Sequence, residues 1–166
     1  MQKKIISLII ITLAVFLLLF NMDNNRKTAT EMKFNSEQEA LEYAKQETPY
    51  IVDFIDETKS IDNEKIVIYK FKKDKEIGIG TGTLKWKDKK VIWIKNGNDI
   101  VISDNNETKT DISGEVETYS GKKYRLYAGI ANSKNIKIET ETDNNITPHI
   151  DDKSGIYYLL IPSLKK

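Results

Sequence analysis

Cysteine is absent from this chain of 166 residues, and histidine and proline are scarce, with one and three residues. Without cysteine there is no disulfide, thiolate metal site, iron–sulfur ligand or cysteine nucleophile. An excess of one charge is also missing, because 26 Lys and Arg against 25 Asp and Glu give a net charge of +1. This balance provides no bulk attraction to nucleic acid, so we expect no nucleic-acid partner. The length fits one domain of ordinary size.

Apolar residues are concentrated at the N-terminus. Lys3 and Lys4 precede 16 uncharged residues (5–20), after which the chain is abruptly polar. A basic start followed by an apolar run is typical of a secretory signal or a signal anchor. Extended to residue 22, the run measures about 27 Å as a helix, close to the ~30 Å hydrocarbon core of a bilayer. The residues at its end are large, which disfavours cleavage by signal peptidase.

We therefore predict an uncleaved transmembrane signal anchor at residues 5–22. Residues 1–4 are then cytoplasmic, residues 23–33 form a tether and residues 34–166 form an extracytoplasmic domain, because the lysines before the anchor favour a cytoplasmic N-terminus. An exported domain without cysteine fits a bacterium whose external folding does not depend on disulfides. The alternative is a secreted soluble protein with a cleaved signal, acting as an inhibitor or a minor hydrolase.

One helix is predicted at the start of the body. Ser36-Glu37-Gln38-Glu39 has the form of a capping box, in which a hydroxyl and a carboxylate three residues later satisfy free backbone N–H groups. Ala40, Leu41 and Ala44 then form a narrow apolar stripe. Thr48-Pro49 ends the helix after about three turns, since the residue before proline avoids the helical region.

Beyond the helix the apolar period is two, which is typical of β-strands. Strands are predicted over residues 51–55, 65–72, 76–86, 90–95, 100–102, 115–119, 124–130, 136–140 and 156–161. Lys87-Asp88-Lys89 predicts a turn, and Asn96-Gly97-Asn98-Asp99 predicts a hairpin. After the transmembrane helix we therefore expect an α+β domain with one helix and a mainly antiparallel sheet of about eight strands.

Charge is segregated along the body. Residues 65–95 carry ten lysines and three acids, whereas residues 98–119 carry six acids and one lysine. A basic, aromatic sheet face is a candidate surface for anionic lipid headgroups, a wall polyanion or, against the overall charge, nucleic acid. The alternative is that these lysines are the solvated sides of strands, which also block edge aggregation, with the acidic stretch facing them across the sheet. The candidate contact residues are Lys70, Lys72, Lys85, Trp86, Lys87 and Trp93.

Gly78-Ile79-Gly80-Thr81-Gly82 superficially resembles a phosphate-binding loop. No helix follows it, and the lysine and hydroxyl residue of a P-loop are missing. Glycines that alternate with other residues leave one face of a strand bare, so we predict that Trp86 or Trp93, or another backbone segment, packs there.

An oxygen-rich segment surrounds His149, with Asp143-Asn144-Asn145 before it and Asp151-Asp152 after it. A hard cation such as Ca²⁺ uses such ligands, but the regular spacing of a known loop is missing and turn formation explains the residues better. His149 is the only imidazole, and no nucleophile elbow or metalloprotease motif is present. We therefore predict no metal, no cofactor and no catalysis, although carboxylates that pair only in space leave no mark in a sequence.

Two short motifs carry a family resemblance. The helix segment Ser36-Glu37-Gln38-Glu39-Ala40-Leu41 and the later Tyr127-Ala128-Gly129-Ile130, followed by Asn135-Ile136, resemble the small anchored extracytoplasmic proteins of Bacillus-type bacteria. The chain departs from the lipid-linked members of this group in having no cysteine. The resemblance implies a location and a fold but no activity. Our hypothesis is a single-pass membrane protein whose external domain binds an unknown protein or a component of the cell envelope.

Overall fold

The computed structural model of the protein describes residues 31–104, 107–108, 111–141 and 143–163. The predicted membrane anchor and most of the predicted tether lie outside the described residues. Within these described ranges, no helix has both the length and the apolar character needed to cross a membrane.

The predicted helix is confirmed as α1 (Glu37–Glu47). The Glu39 N–H donates to the Ser36 hydroxyl at 3.1 Å, while the Glu39 carboxylate accepts from the Asn35 N–H at 2.8 Å, one residue before the N-cap. At the other end the Thr48 N–H donates to the Ala44 carbonyl, and Pro49 follows. The capping box and the proline therefore set the two ends of the helix as predicted.

The first sheet has seven antiparallel strands. Five of them lie in the order β1-β5-β4-β3-β2, and β6 pairs with β4 and β7 with β6. Asp88 and Lys89, with φ of 54° and 60°, form the predicted tight turn between β4 and β5. The strands are β1 (Lys33–Phe34), β2 (Ile51–Glu57), β3 (Glu64–Lys73), β4 (Glu76–Lys87), β5 (Lys90–Lys95), β6 (Ile100–Asp104) and β7 (Glu107–Thr108).

The hairpin predicted at residues 96–99 is wrong. β5 pairs with residues 82–87 of β4, and β6 pairs with residues 77–79 of the same strand. β5 and β6 therefore follow one another along one edge of β4 instead of pairing with each other. The Asn96 N–H still donates to the Thr81 carbonyl at 2.8 Å, and Gly97 has a φ of +62°. The apparent turn is a local irregularity in one continuous edge.

The second sheet has four strands in the order β10-β11-β9-β8. They are β8 (Ile112–Glu117), β9 (Lys123–Ile130), β10 (His149–Ile150) and β11 (Ile156–Pro162). The strand predicted at 136–140 is wrong, because only an isolated bridge joins Ile138 to Ile146 there. The antiparallel arrangement is confirmed, but the single sheet of about eight strands is not: the described residues form eleven strands in two sheets, because short strands extend the edges and β8–β11 pair only among themselves.

The described elements from Lys33 onward form one unit of three layers. Alternate residues of β3 and β4 face opposite ways, so the first sheet has two buried faces. Its helix side packs Val67, Tyr69, Phe71 and Leu84 against α1. Its other side packs four isoleucines against the second sheet: Ile68, Ile79, Ile100 and Ile102. The second sheet contributes Val116, Leu126, Ala128, Ile156 and Tyr158 to this cluster. The α+β class is thereby confirmed.

The alternating glycines of β4 admit large neighbours, as predicted. A Cβ on Gly82 would lie 2.0 Å from the Trp93 ring, and one on Gly80 would lie 2.5 Å from the Tyr69 ring. A Cβ on Gly78 would lie 1.9 Å from the carbonyl oxygen of Ile100, which is the predicted close approach of another backbone. The glycines therefore serve packing between elements.

Candidate functional site

The structure does not bring the six predicted contact residues onto one surface. Strand alternation directs the four lysines (70, 72, 85 and 87) to the side of the second sheet, and Trp86 and Trp93 to the helix side. Trp93 is only 6% exposed because it covers Gly82. Trp86 is half-buried, and the Lys65 ammonium lies 5.7 Å from its ring centroid. The tryptophans therefore belong to a different layer from the lysines.

Lys70 links the two sheets. Its ammonium lies 3.0 Å from the Asp151 carboxylate, and both side chains are 14% exposed. The Ser154 hydroxyl also donates to Asp151. Burial opposes ionisation of Asp151, but the hydrogen bonds from Ser154 and Lys70 outweigh it, so the pKa of Asp151 lies below its ordinary value. Lys70 is thus held by an ion pair between the sheets.

Lys85 belongs to a second polar cluster between the sheets, around the Glu64 carboxylate. Glu64 is 4% exposed, and its Oε2 accepts from the Thr118 hydroxyl at 3.0 Å and the Ser120 hydroxyl at 2.7 Å. The Lys85 ammonium lies 3.5 Å from Oε1 and donates to the Asp62 carbonyl. This cluster ties β3 and β4 to the turn between β8 and β9, beside a cavity of about 120 Å³.

Lys72 and Lys87 are the exposed members of the predicted set. They lie near opposite ends of the β3–β4 hairpin, since Lys72 pairs with Ile77 and Lys87 pairs with Lys90. On β4, Lys87 is ten positions after Ile77, the partner of Lys72, which corresponds to about 33 Å of extended chain. A contact role for either lysine stays a prediction, and a single basic face is not assembled.

The oxygen-rich segment around His149 forms turns. The Asn145 N–H donates to the Asp143 side chain at 2.9 Å, and Asp151 is engaged with Lys70. The His149 ring stacks on the Tyr158 ring, with centroids 5.6 Å apart. In the part of the chain that the structure describes, no group of three histidine or acidic side chains is arranged to hold a metal ion.

An open groove of about 570 Å³ lies between the start of β6 and the edge strand β8. Its lining includes three carboxylate residues and no lysine or arginine. The Ile100 side chain lies against Gly114, since a Cβ built on Gly114 would be 3.2 Å from Ile100 Cδ1. Ile100 provides the apolar floor of the groove. The lining residues are Gly97, Asn98, Asp99, Ile100, Val101, Ile112, Ser113, Gly114, Glu115 and Glu117.

Asp99 fixes one wall of the groove. Its carboxylate accepts from the Tyr69 hydroxyl at 2.6 Å and the Tyr50 hydroxyl at 3.2 Å, and the Lys95 ammonium lies 3.1 Å away. Burial raises the pKa of both phenols, and the adjacent Asp99 raises it further. Both phenols therefore stay protonated as donors, and they hold the segment before β6 against β3.

The other wall is the edge of β8 to which no other described strand is paired. The Thr118 N–H donates to the Lys122 carbonyl at 2.9 Å, which makes these two residues a hydrogen-bonded pair of the β8–β9 ladder. Such pairs alternate along an antiparallel ladder, so the backbone groups of Ser113, Glu115 and Glu117 point away from β9. No backbone hydrogen bond joins these three residues to another described element. They line the groove and leave donors and acceptors open to it.

Glu115 and Glu117 do not face the basic 65–95 stretch across a sheet. They lie opposite Arg125 and Lys123 of β9. Arg125 is bound to Glu141 at 2.8 Å, Lys123 is 3.9 Å from Glu117, and Glu115 makes no ion pair with a described residue. The acidic count over 98–119 was the available signal for this groove, but it did not indicate that β8 is an edge strand.

A scan of protein-family models, a search of curated protein sequences and a search of solved structures return no match to this chain.

Proposed function

We propose that this protein is a single-pass membrane protein whose extracytoplasmic domain is a binding module that engages a partner in the groove between β6 and β8. The observation that carries the proposal is the edge of β8, where backbone groups without a partner among the described residues and an acidic lining meet in one open groove. An exposed strand edge is a template for pairing with another chain, and proteins normally cover or blunt such edges.

Binding explains the polar residues better than catalysis does. Three charged groups with low exposure, Glu64, Lys70 and Asp99, are each held by partners from other elements, and these partners fix one sheet or segment to another. In contrast, Glu115 is exposed, lines the groove and has no ion-pair partner among the described residues. Glu115 is therefore a charge on the groove that is open to a partner.

The anchor rests on the N-terminal sequence, in which Lys3 and Lys4 precede 16 uncharged residues. Mass determination and N-terminal sequencing of the protein from its own cells test it. Recovery of residues 5–22 in the membrane fraction after an alkaline wash is expected. A mature N-terminus within residues 21–30 would overturn the anchor and favour the secreted alternative.

Site-specific photocrosslinking in the cells of origin tests the binding module. A photoreactive residue at Ser113 is expected to form an adduct, and the same residue at the exposed Asn132, outside the groove, is expected not to form it. Glu115→Lys and Glu117→Lys together should remove the adduct. If both positions form the same adducts, or if the paired substitution changes nothing, the groove is not the binding surface.

A further inference from the structure

We propose that the groove takes an extended polypeptide segment that adds to β8 as a further strand and carries basic residues at alternate positions. This inference rests on the proposed function and names the chemical class of the partner. The backbone of β8 would provide the affinity, and two carboxylates would provide the selectivity.

The backbone argument comes from the phase of the β8–β9 ladder. Ser113, Glu115 and Glu117 each direct one N–H and one C=O away from β9. An extended segment is the partner that satisfies a row of alternating donors and acceptors at strand spacing, and this is the general mode of β-strand addition. Neither a helix nor a small anion matches such a row.

The charge argument comes from side-chain alternation. Glu115 and Glu117 are two positions apart, so they lie on one face of β8, about 7 Å from each other. Residues directly opposite on an added strand would have Cβ atoms about 5 Å from theirs, where opposite charges stabilise the pair. Lysine or arginine at positions i and i+2 of the partner therefore meets both carboxylates.

The partner residues opposite Gly114 and Val116 would point to the other face of the added strand, on the side of the first sheet. Gly114 has no side chain of its own and lies against Ile100, which lines the groove. An apolar residue opposite Gly114 would pack near Ile100, and the residue between the two basic ones would lie beside the buried Val116. The expected pattern is thus apolar, basic, apolar, basic.

A second copy of this chain is a poorer occupant. Pairing of two β8 strands would place carboxylates opposite carboxylates, which destabilises a ladder. Basic pairs at i and i+2 with both members in one described strand, Lys70 with Lys72, Lys85 with Lys87 and Lys123 with Arg125, lie on β3, β4 and β9, which already have strands on both sides. The partner is therefore a different polypeptide.

The test uses the full chain in detergent micelles and three fluorescent peptides at least as long as β8. The first alternates lysine and valine, the second has the same composition in two blocks, and the third alternates but is N-methylated at every second residue to remove the donors along one edge. The alternating peptide should bind, the block peptide should bind about tenfold more weakly, and the methylated peptide should lose binding, since strand addition requires both features.

Variants separate the groove from general electrostatics. Glu115→Lys with Glu117→Lys should weaken binding of the alternating peptide by about tenfold or more. Glu47→Lys with Glu139→Lys makes the same change of charge at exposed positions outside the groove and should leave binding unchanged.

The outcomes also separate this inference from the proposed function. Equal binding of all three peptides would overturn strand addition, while an adduct at Ser113 in cells would still support the groove as a binding surface. Failure of the alternating peptide to bind, or its binding unchanged by the paired Glu115 and Glu117 substitutions, would overturn the inference. Concentration-dependent dimerisation lost in that paired variant would assign the edge to a second copy and overturn it as well.

Discussion

The two faces of the first sheet use the same strands and different chemistry. On the helix side, aromatic rings pack on bare glycines, as Trp93 does on Gly82. On the side of the second sheet, an apolar centre lies between two polar clusters, one around Glu64 and Lys85 and one joining Lys70 to Asp151. Both faces have an ion pair between layers, Lys65 with Glu37 of α1 on the helix side and Lys70 with Asp151 on the other, but the rings packed on bare glycines are on the helix side.

The difference shows why the lysines were hard to interpret. A lysine that alternates with apolar residues looks the same in a sequence whether its ammonium contacts water or a buried carboxylate. The partner of Lys70 is 81 positions away, and no local pattern indicates it. The alternating glycines of β4, by comparison, are visible in the sequence itself, and they predict close packing on that face of the strand.

The largest expected effect is on the helix side. Gly82→Ala should lower the free energy of unfolding by more than about 3 kcal/mol, because its Cβ would lie 2.0 Å from a ring that is itself buried. Urea denaturation measures the change. Trp93→Phe in the same chain should recover part of the loss, since it removes the ring atoms nearest to the new methyl group. A loss below about 1 kcal/mol for Gly82→Ala would show that this face is not closely packed.

The next effect is on the side of the second sheet. Lys70→Met should lower the free energy of unfolding by about 3 kcal/mol, because it leaves the Asp151 carboxylate uncompensated at 14% exposure. Lys72→Met, at an exposed position of the same strand, is the matched control and should change it by less than about 0.5 kcal/mol. Equal losses of unfolding free energy at both positions would show that Lys70 acts as a solvated surface lysine and that its ion pair with Asp151 does not stabilise the fold. Lys70→Met with Asp151→Asn should be less harmful than Lys70→Met alone.

A smaller effect is expected from acid. The pKa of Asp151 is lower in the folded chain than its ordinary value of 3.8, so the ionised form stabilises the fold. This contribution is complete above the ordinary value and is lost as the pH falls through the folded value. Unfolding free energy measured below pH 4 should therefore fall less steeply in Asp151→Asn than in the unmodified chain. Identical slopes would mean that the ion pair between the sheets contributes no pH-dependent stability.

The smallest effect is expected at the exposed ends of the hairpin. Lys72→Gln and Lys87→Gln should each change the free energy of unfolding by less than about 0.5 kcal/mol, since neither side chain is buried. A larger loss of unfolding free energy at either position would show that this exposed lysine also makes stabilising polar contacts. The distinction between buried and exposed lysines would then be weaker.

Local signals predicted the local structure well. The Ser36 cap, the proline after α1 and the turn at Asp88 depend on neighbouring residues alone, and all three are found. The hairpin expected at Gly97 failed because the chain there continues along the same edge of β4, which depends on strand pairing and not on turn residues. The groove was missed for the same reason, since Glu115 gains its meaning only when β8 is known to be an edge strand.

Amide hydrogen exchange of the full chain, with and without the alternating lysine–valine peptide, tests the central claim most directly. In the free chain the N–H groups of Ser113, Glu115 and Glu117 should exchange faster than those of Gly114 and Val116, which face β9. The peptide should slow exchange at the first three and leave the other two unchanged. Equal exchange across β8 in the free chain, or no alternating protection with the peptide bound, would contradict the assignment of β8 as the binding edge.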